Sequence, residues 1–207
     1  LKKANAEQQT YAALAAYYDK IAQYKTAADW YIKYADKYGK DDPKSPDSIY
    51  NAGIFYLGLG DTDSAVKMFA RYIKDFKSQK DIPEVYLRMA AVYEDKEDWK
   101  RAAAMYGDFE KLYGKVAKPE RVLESRYKTA LMLQKSGRDK DMLEACKGIL
   151  DGWKKLDPAV KKSDVGATAG GYCGFHLLEA EWLDYKAIKV EQKAGVSGKK
   201  ALQLVGA

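Results

Sequence analysis

NAGIFYLGLGDTDSAVKMF, residues 51–69, decides the fold. Gly53 stands three residues before Tyr56, and Ala65, twelve residues after Gly53, stands four before Phe69. The same twelve-residue step separates Ala15 from Ala27, Ala90 from Ala102, and Ala130 from Met142. A large residue also lies four before and three after the first member of each pair: Tyr11 and Tyr18, Ile49 and Tyr56, Tyr86 and Tyr93. A ring follows the second member by four: Tyr31, Phe69, Tyr106. In the fourth copy the corresponding residues are Arg126, Leu133 and Cys146, so that copy is degenerate. From copy to copy both halves move by 38, 37 and 40 residues (15 to 53, 53 to 90, 90 to 130). Two signals that drift together mark an internal repeat.

Spacings of three and four put these residues on one face of a helix. Ser45-Pro46, Ile82-Pro83 and Lys118-Pro119 place proline in a first helical turn, where its missing N–H costs nothing. Asp61 is a candidate cap, and Gly39, Gly60, Gly114 and Gly137 stand where helices should end. The expected helices run near 4–20, 23–38, 46–58, 62–77, 83–95, 98–113, 119–136 and 139–155, with no strand. After LDPAVKKSDVG (156–166) one long helix is expected over about 164–193, with Gly170 at the next small position.

The pattern resembles the tetratricopeptide repeat, in which a large residue, a small one four on and an aromatic three further are followed by Ala-x-x-x-aromatic. The likeness covers residues 8–155. It implies an all-α fold, a right-handed α-solenoid of antiparallel helix pairs with a long C-terminal helix. The units would be 8–45, 46–82, 83–119 and 120–155, then a cap or half-repeat over 156–193 and a tail over 194–207. The small residues let paired helices approach, and the rings fill the space between them. Long loops such as GKDDPKSPDS (39–48) and KSQKDIP (77–83) stretch the period cheaply.

With 36 Lys+Arg against 30 Asp+Glu the chain carries +6, but both signs are interleaved, as in EDKED (94–98). That counts against nucleic-acid binding, which needs one sign gathered on one face. No stretch approaches a membrane span. The start LKKANAEQQT reads as a mature or excised segment of a longer product. EAEWLDYKAIK (179–189) is similar to long repeat proteins of bacterial envelopes, which implies a periplasmic or envelope location, with the cytoplasm as the alternative.

The inventory for catalysis is thin, so the chain is read as non-enzymatic, without cofactor, metal or small-molecule substrate. His176, the one histidine, sits beside Phe175 and Leu177 and reads as structural. Asp41-Asp42 and Glu94-Asp95 read as solvated carboxylates. GLGDTDS (58–64) lacks the lysine of a phosphate loop. Cys146 and Cys173 fall on facing helices and read as two buried thiols, with a disulfide as the alternative in an oxidising compartment.

In such a stack the first helix of each pair lines a concave groove. Its expected lining is Ala12, Ala16 and Asp19, then Tyr50, Asn51, Ile54 and Leu57, then Leu87, Arg88, Ala91 and Glu94, then Tyr127, Leu131 and Gln134. This lining reads as apolar in the middle and suited to a peptide or helix of a partner protein, although packing between neighbouring helices would use the same rings. Peptide-binding relatives hold a terminal carboxylate with Lys, Asn, Asn, Lys and Arg. Here Asn51 and Arg88 match, whereas Ala12, Ala16 and Glu84 do not, which argues against that ligand. The rival is a structural self-assembly module whose repeats pack on each other or on missing repeats of a longer chain, through outward tyrosines Tyr17, Tyr24, Tyr34 and Tyr38.

Overall fold

A computed structural model describes residues 2–188. Among the described residues the order is α1 (Lys2–Lys20), α2 (Tyr24–Tyr38), α3 (Ser45–Gly58), α4 (Thr62–Asp75), α5 (Ile82–Asp95), α6 (Trp99–Tyr113), α7 (Pro119–Lys135), α8 (Asp139–Trp153), α9 (Pro158–Lys162) and α10 (Asp164–Ala187), with no strand. Each helix from α1 to α8 packs on the next, and α10 packs on α8, α7 and α9. The result is an all-α, right-handed solenoid of antiparallel pairs closed by a long helix.

The repeat is explained by packing. Ala15, Ala27, Gly53, Ala65, Ala90, Ala102, Ala130 and Met142 are all buried. A Cβ placed on Gly53 would lie 2.7 Å from Cε1 of Phe69, whose ring has no exposed surface. Glycine and phenylalanine in the opening stretch are thus two halves of one contact between α3 and α4. Two buried clusters share α5: one holds Ile49, Phe69, Tyr72 and Val85, the other Phe109, Leu123, Met132 and Ile149.

A third repeat signal lies in the turns. Ala22, Gly60, Glu97 and Gly137, again 38, 37 and 40 residues apart, have φ of 58°, 75°, 56° and 74°. At each turn the following N–H reaches back to close the helix: Gln23 to Tyr18, Asp61 to Tyr56, Asp98 to Tyr93, Arg138 to Leu133. This is the left-handed helix stop that glycine favours. Ala22 and Glu97 accept its steric cost, so only half of the signal shows as glycine. Asp61 and Asp98 then cap α4 and α6, accepting from the N–H groups of Ser64 and Arg101.

Two expectations are amended near the C-terminus. The link before the long helix contains α9, started by Asp157 capping Ala159 N–H with Pro158 at the first position. Ser163 ends α9 and caps α10 through Gly166 N–H. The described part of the long helix ends at Ala187, and the expected tail 194–207 lies outside the described residues. Gly170 does meet a large partner, since a Cβ there would lie 2.8 Å from the Trp153 ring.

Cys146 and Cys173 have no exposed surface and form a disulfide across α8 and α10, with Cα atoms 4.9 Å apart. This corrects the reading as two thiols. The approach of α10 that needs Gly170 also brings the two sulfurs together, a distance that sequence separation does not reveal.

Candidate functional site

The first helices of the pairs, α3, α5 and α7, frame a cleft of about 450 Å³. Tyr50, Leu87, Arg88, Ala91 and Glu94 line it together, joined by Asp81, Glu84, Glu124, Arg121 and Lys128. The middle is therefore charged, not apolar as the sequence suggested. The charges come from α5 and α7 side chains one repeat apart, a pairing that periodicity within one helix does not show.

These charges are ordered. Arg121 donates to Glu84 at 3.0 Å and to Glu124 at 2.6 Å. Glu94 accepts from the Tyr106 hydroxyl and from Lys128 Nζ, both at 2.8 Å. Glu84 is thus compensated and does not confront a ligand as a bare charge. Among the described residues Arg88 makes no ion pair; it is exposed and lies 5.9 Å from the Tyr50 ring centre. Arg88 is the cation in this cleft that is free to receive a carboxylate.

The other expected lining residues have different surroundings. Asn51 lies beside the Tyr31 hydroxyl, and Ile54 and Leu57 pack against the N-terminal cluster. Tyr127 meets Tyr172 of α10 edge to face at 5.3 Å, and Leu131 packs on the C-terminal cluster. Gln134 accepts from the Tyr172 hydroxyl at 2.8 Å and lies 3.2 Å from His176 Nε2. Helix α10 therefore covers the C-terminal end of the expected groove. The open face runs from α3 to α7.

Of the two carboxylate pairs read as solvated, Asp41 and Asp95 are exposed as expected, whereas Asp42 and Glu94 are structural. Asp42 accepts from Gln8 Nε2, the Tyr34 hydroxyl and Lys44 N–H, and Glu94 holds the network above. Tyr72 repeats the first arrangement by donating to Asp81 at 2.7 Å. His176 is wedged between Tyr172 and Phe175 and contacts Gln134 and Glu179. Of the tyrosines expected outside, Tyr17 and Tyr24 are exposed, whereas Tyr34 is buried and Tyr38 is half-buried with its hydroxyl shielded. This corrects the expected outward row: α1 leans its Tyr11 onto Tyr38 and covers that end of α2.

Burial sets the acid–base behaviour of this face. Burial and the carboxylate of Glu94 hold the Tyr106 phenol far above the ordinary tyrosine range, and burial with Asp81 does the same for Tyr72. Burial pushes Tyr86 and Tyr172 up to about 12. Each folded-state value is raised, so the contribution to stability is complete below about pH 10 and is lost as pH rises through the folded values. Phenolate absorbance is expected to rise in two steps. The first is that of phenols in water, near pH 10, and the second, above it, is that of Tyr72, Tyr86, Tyr106 and Tyr172, which ionise with loss of helical circular dichroism. One smooth step with retained helix would contradict this.

No protein-family model matches the chain, and no curated protein matches it in sequence. Crystal structures do. BtubC (BKLC) from P. vanneervenii aligns at 12% identity and a TM-score of 0.51, over 92% of this chain and 68% of that one. A single-residue variant of the kinesin light chain TPR-like repeats of Podosopora anserina aligns at 14% identity and a TM-score of 0.50, over 87% of this chain and 95% of that one. The fold is the tetratricopeptide-like solenoid. At these identities the likeness is one of fold alone. Within this tetratricopeptide-like frame no helix of the described residues is long and apolar enough to cross a membrane.

Proposed function

We propose that this chain is a non-enzymatic scaffold that binds a segment of a partner protein across its concave face, at the cleft between α3, α5 and α7. The observation that carries the reading is Arg88, exposed beside Tyr50 in a cleft whose other cations are already paired. A carboxylate on the partner meets Arg88, and an apolar side chain beside it packs on Tyr50 and Ala91. Tetratricopeptide-like solenoids present large shaped surfaces with little internal chemistry, which supports a binding role. We further propose an oxidising compartment, the bacterial periplasm or envelope. The buried Cys146–Cys173 disulfide supports it.

The test is capture of partners from lysate of the source cells by wild type and by Arg88→Glu. Reversing one charge in a charge-assisted hydrogen bond is expected to weaken capture at least about tenfold, with circular dichroism unchanged because Arg88 is exposed. A partner held equally by the folded variant would contradict the cleft as the binding site.

A further inference from the structure

Helix α10 is apolar on two opposite faces. One face, with Gly166, Ala169 and Cys173, is buried against α7, α8 and α9. On the other, Phe175, Leu178, Trp182 and Tyr185 are 61%, 68%, 56% and 63% exposed, and a Cβ on Gly171 would meet nothing within 4 Å. Their steps of three, four and three residues trace one stripe along the helix, the spacing of a coiled-coil seam. An exposed apolar stripe with charged residues along its edges marks a protein–protein contact.

We propose that this stripe pairs with the same stripe on a second copy of the chain, giving a two-fold symmetric dimer joined through α10. Area is the first argument. The four side chains leave on the order of 500 Å² uncovered per copy, and their flanking charged stems bring the face close to the roughly 800 Å² per partner of a standard interface. Charge is the second. The stripe is flanked by Glu179 and Glu181 and, near its end, by Lys186. Helices paired antiparallel set Lys186 against Glu179 of the second copy, and helices paired parallel set it against Glu181, so self-pairing is complementary in either sense. Lys186 Nζ lies 4.1 Å from the Trp182 ring centre, at the edge of the seam. The stripe faces away from the disulfide side of α10, so pairing leaves the cleft at α3, α5 and α7 open and is independent of its proposed role.

The experiment is light scattering with size separation on the full chain over a concentration series. Wild type is expected to reach twice the chain mass of 23.3 kDa. Leu178→Glu/Trp182→Glu is expected to stay at the single-chain mass with unchanged circular dichroism, since both residues are exposed. Lys186→Glu is expected to raise the dissociation constant several-fold, and adding Glu179→Lys and Glu181→Lys to it is expected to restore pairing. A single-chain mass for wild type at every concentration would assign the stripe to a different protein's helix or to further chain and overturn the proposal. A dimer untouched by Leu178→Glu/Trp182→Glu would overturn it equally.

Discussion

Phe69→Ala is expected to lower the unfolding free energy by about 3 to 5 kcal/mol, the usual loss for a phenylalanine removed from a packed core. The ring has no exposed surface and touches the backbone of α3 at Gly53, so little can collapse into the space it leaves. The reciprocal change, Gly53→Val, pushes extra carbons into that ring and is expected to cost about 1 to 3 kcal/mol as overpacking. Gly148→Ala is the control. Gly148 lies mid-way along α8 with nothing within 4 Å of an added Cβ, and alanine there is expected to stabilise by about 0.5 to 1 kcal/mol through helix propensity. Urea unfolding of the variants checks the signs. If Gly53 and Gly148 respond alike, the small position of the repeat is a matter of propensity and not of contact.

Removing the disulfide is the second large effect. Cys146 and Cys173 are 27 residues apart, and the chain-entropy model assigns a closed loop of that length about 3 to 4 kcal/mol. The double variant Cys146→Ser/Cys173→Ser is expected to lose about that much and to loosen α10 first, because the bond ties α10 to α8 beside the Gly170–Trp153 contact. Wild type unfolded in the presence of reductant should match the variant. Equal stability of wild type with and without reductant would mean that the two sulfurs are not bonded in solution.

The helix pairs were legible because burial of Ala15, Gly53, Ala90 and Ala130 and of their partners is imposed within one unit, over a separation short enough to leave a period in the sequence. The cleft was less so. Tyr50, Leu87, Arg88, Ala91 and Glu94 converge as their helical phase implies, but Arg121–Glu84 and Lys128–Glu94 join side chains 37 and 34 residues apart on different units. Nothing local distinguishes such a pair from solvated charges. Tyr127 and Gln134 have the same phase as the cleft residues and still end under α10, since the next helix in a stack packs on the side where a ligand would sit. The paired tyrosine–aspartate contacts, Tyr34 to Asp42 and Tyr72 to Asp81, did leave a faint signal in their similar spacing of 8 and 9 residues. Ala22 and Glu97 left none, because a left-handed turn residue other than glycine carries no composition mark.

Binding of a partner at the concave face between α3 and α7 would show as a change in amide hydrogen exchange between the free chain and the chain with its captured partner. Added protection is expected to be confined to segments around 50–57, 84–95 and 121–131, and to disappear in Arg88→Glu. Protection that falls instead on α2, α4 and α6, or on α10 alone, would contradict binding at this face.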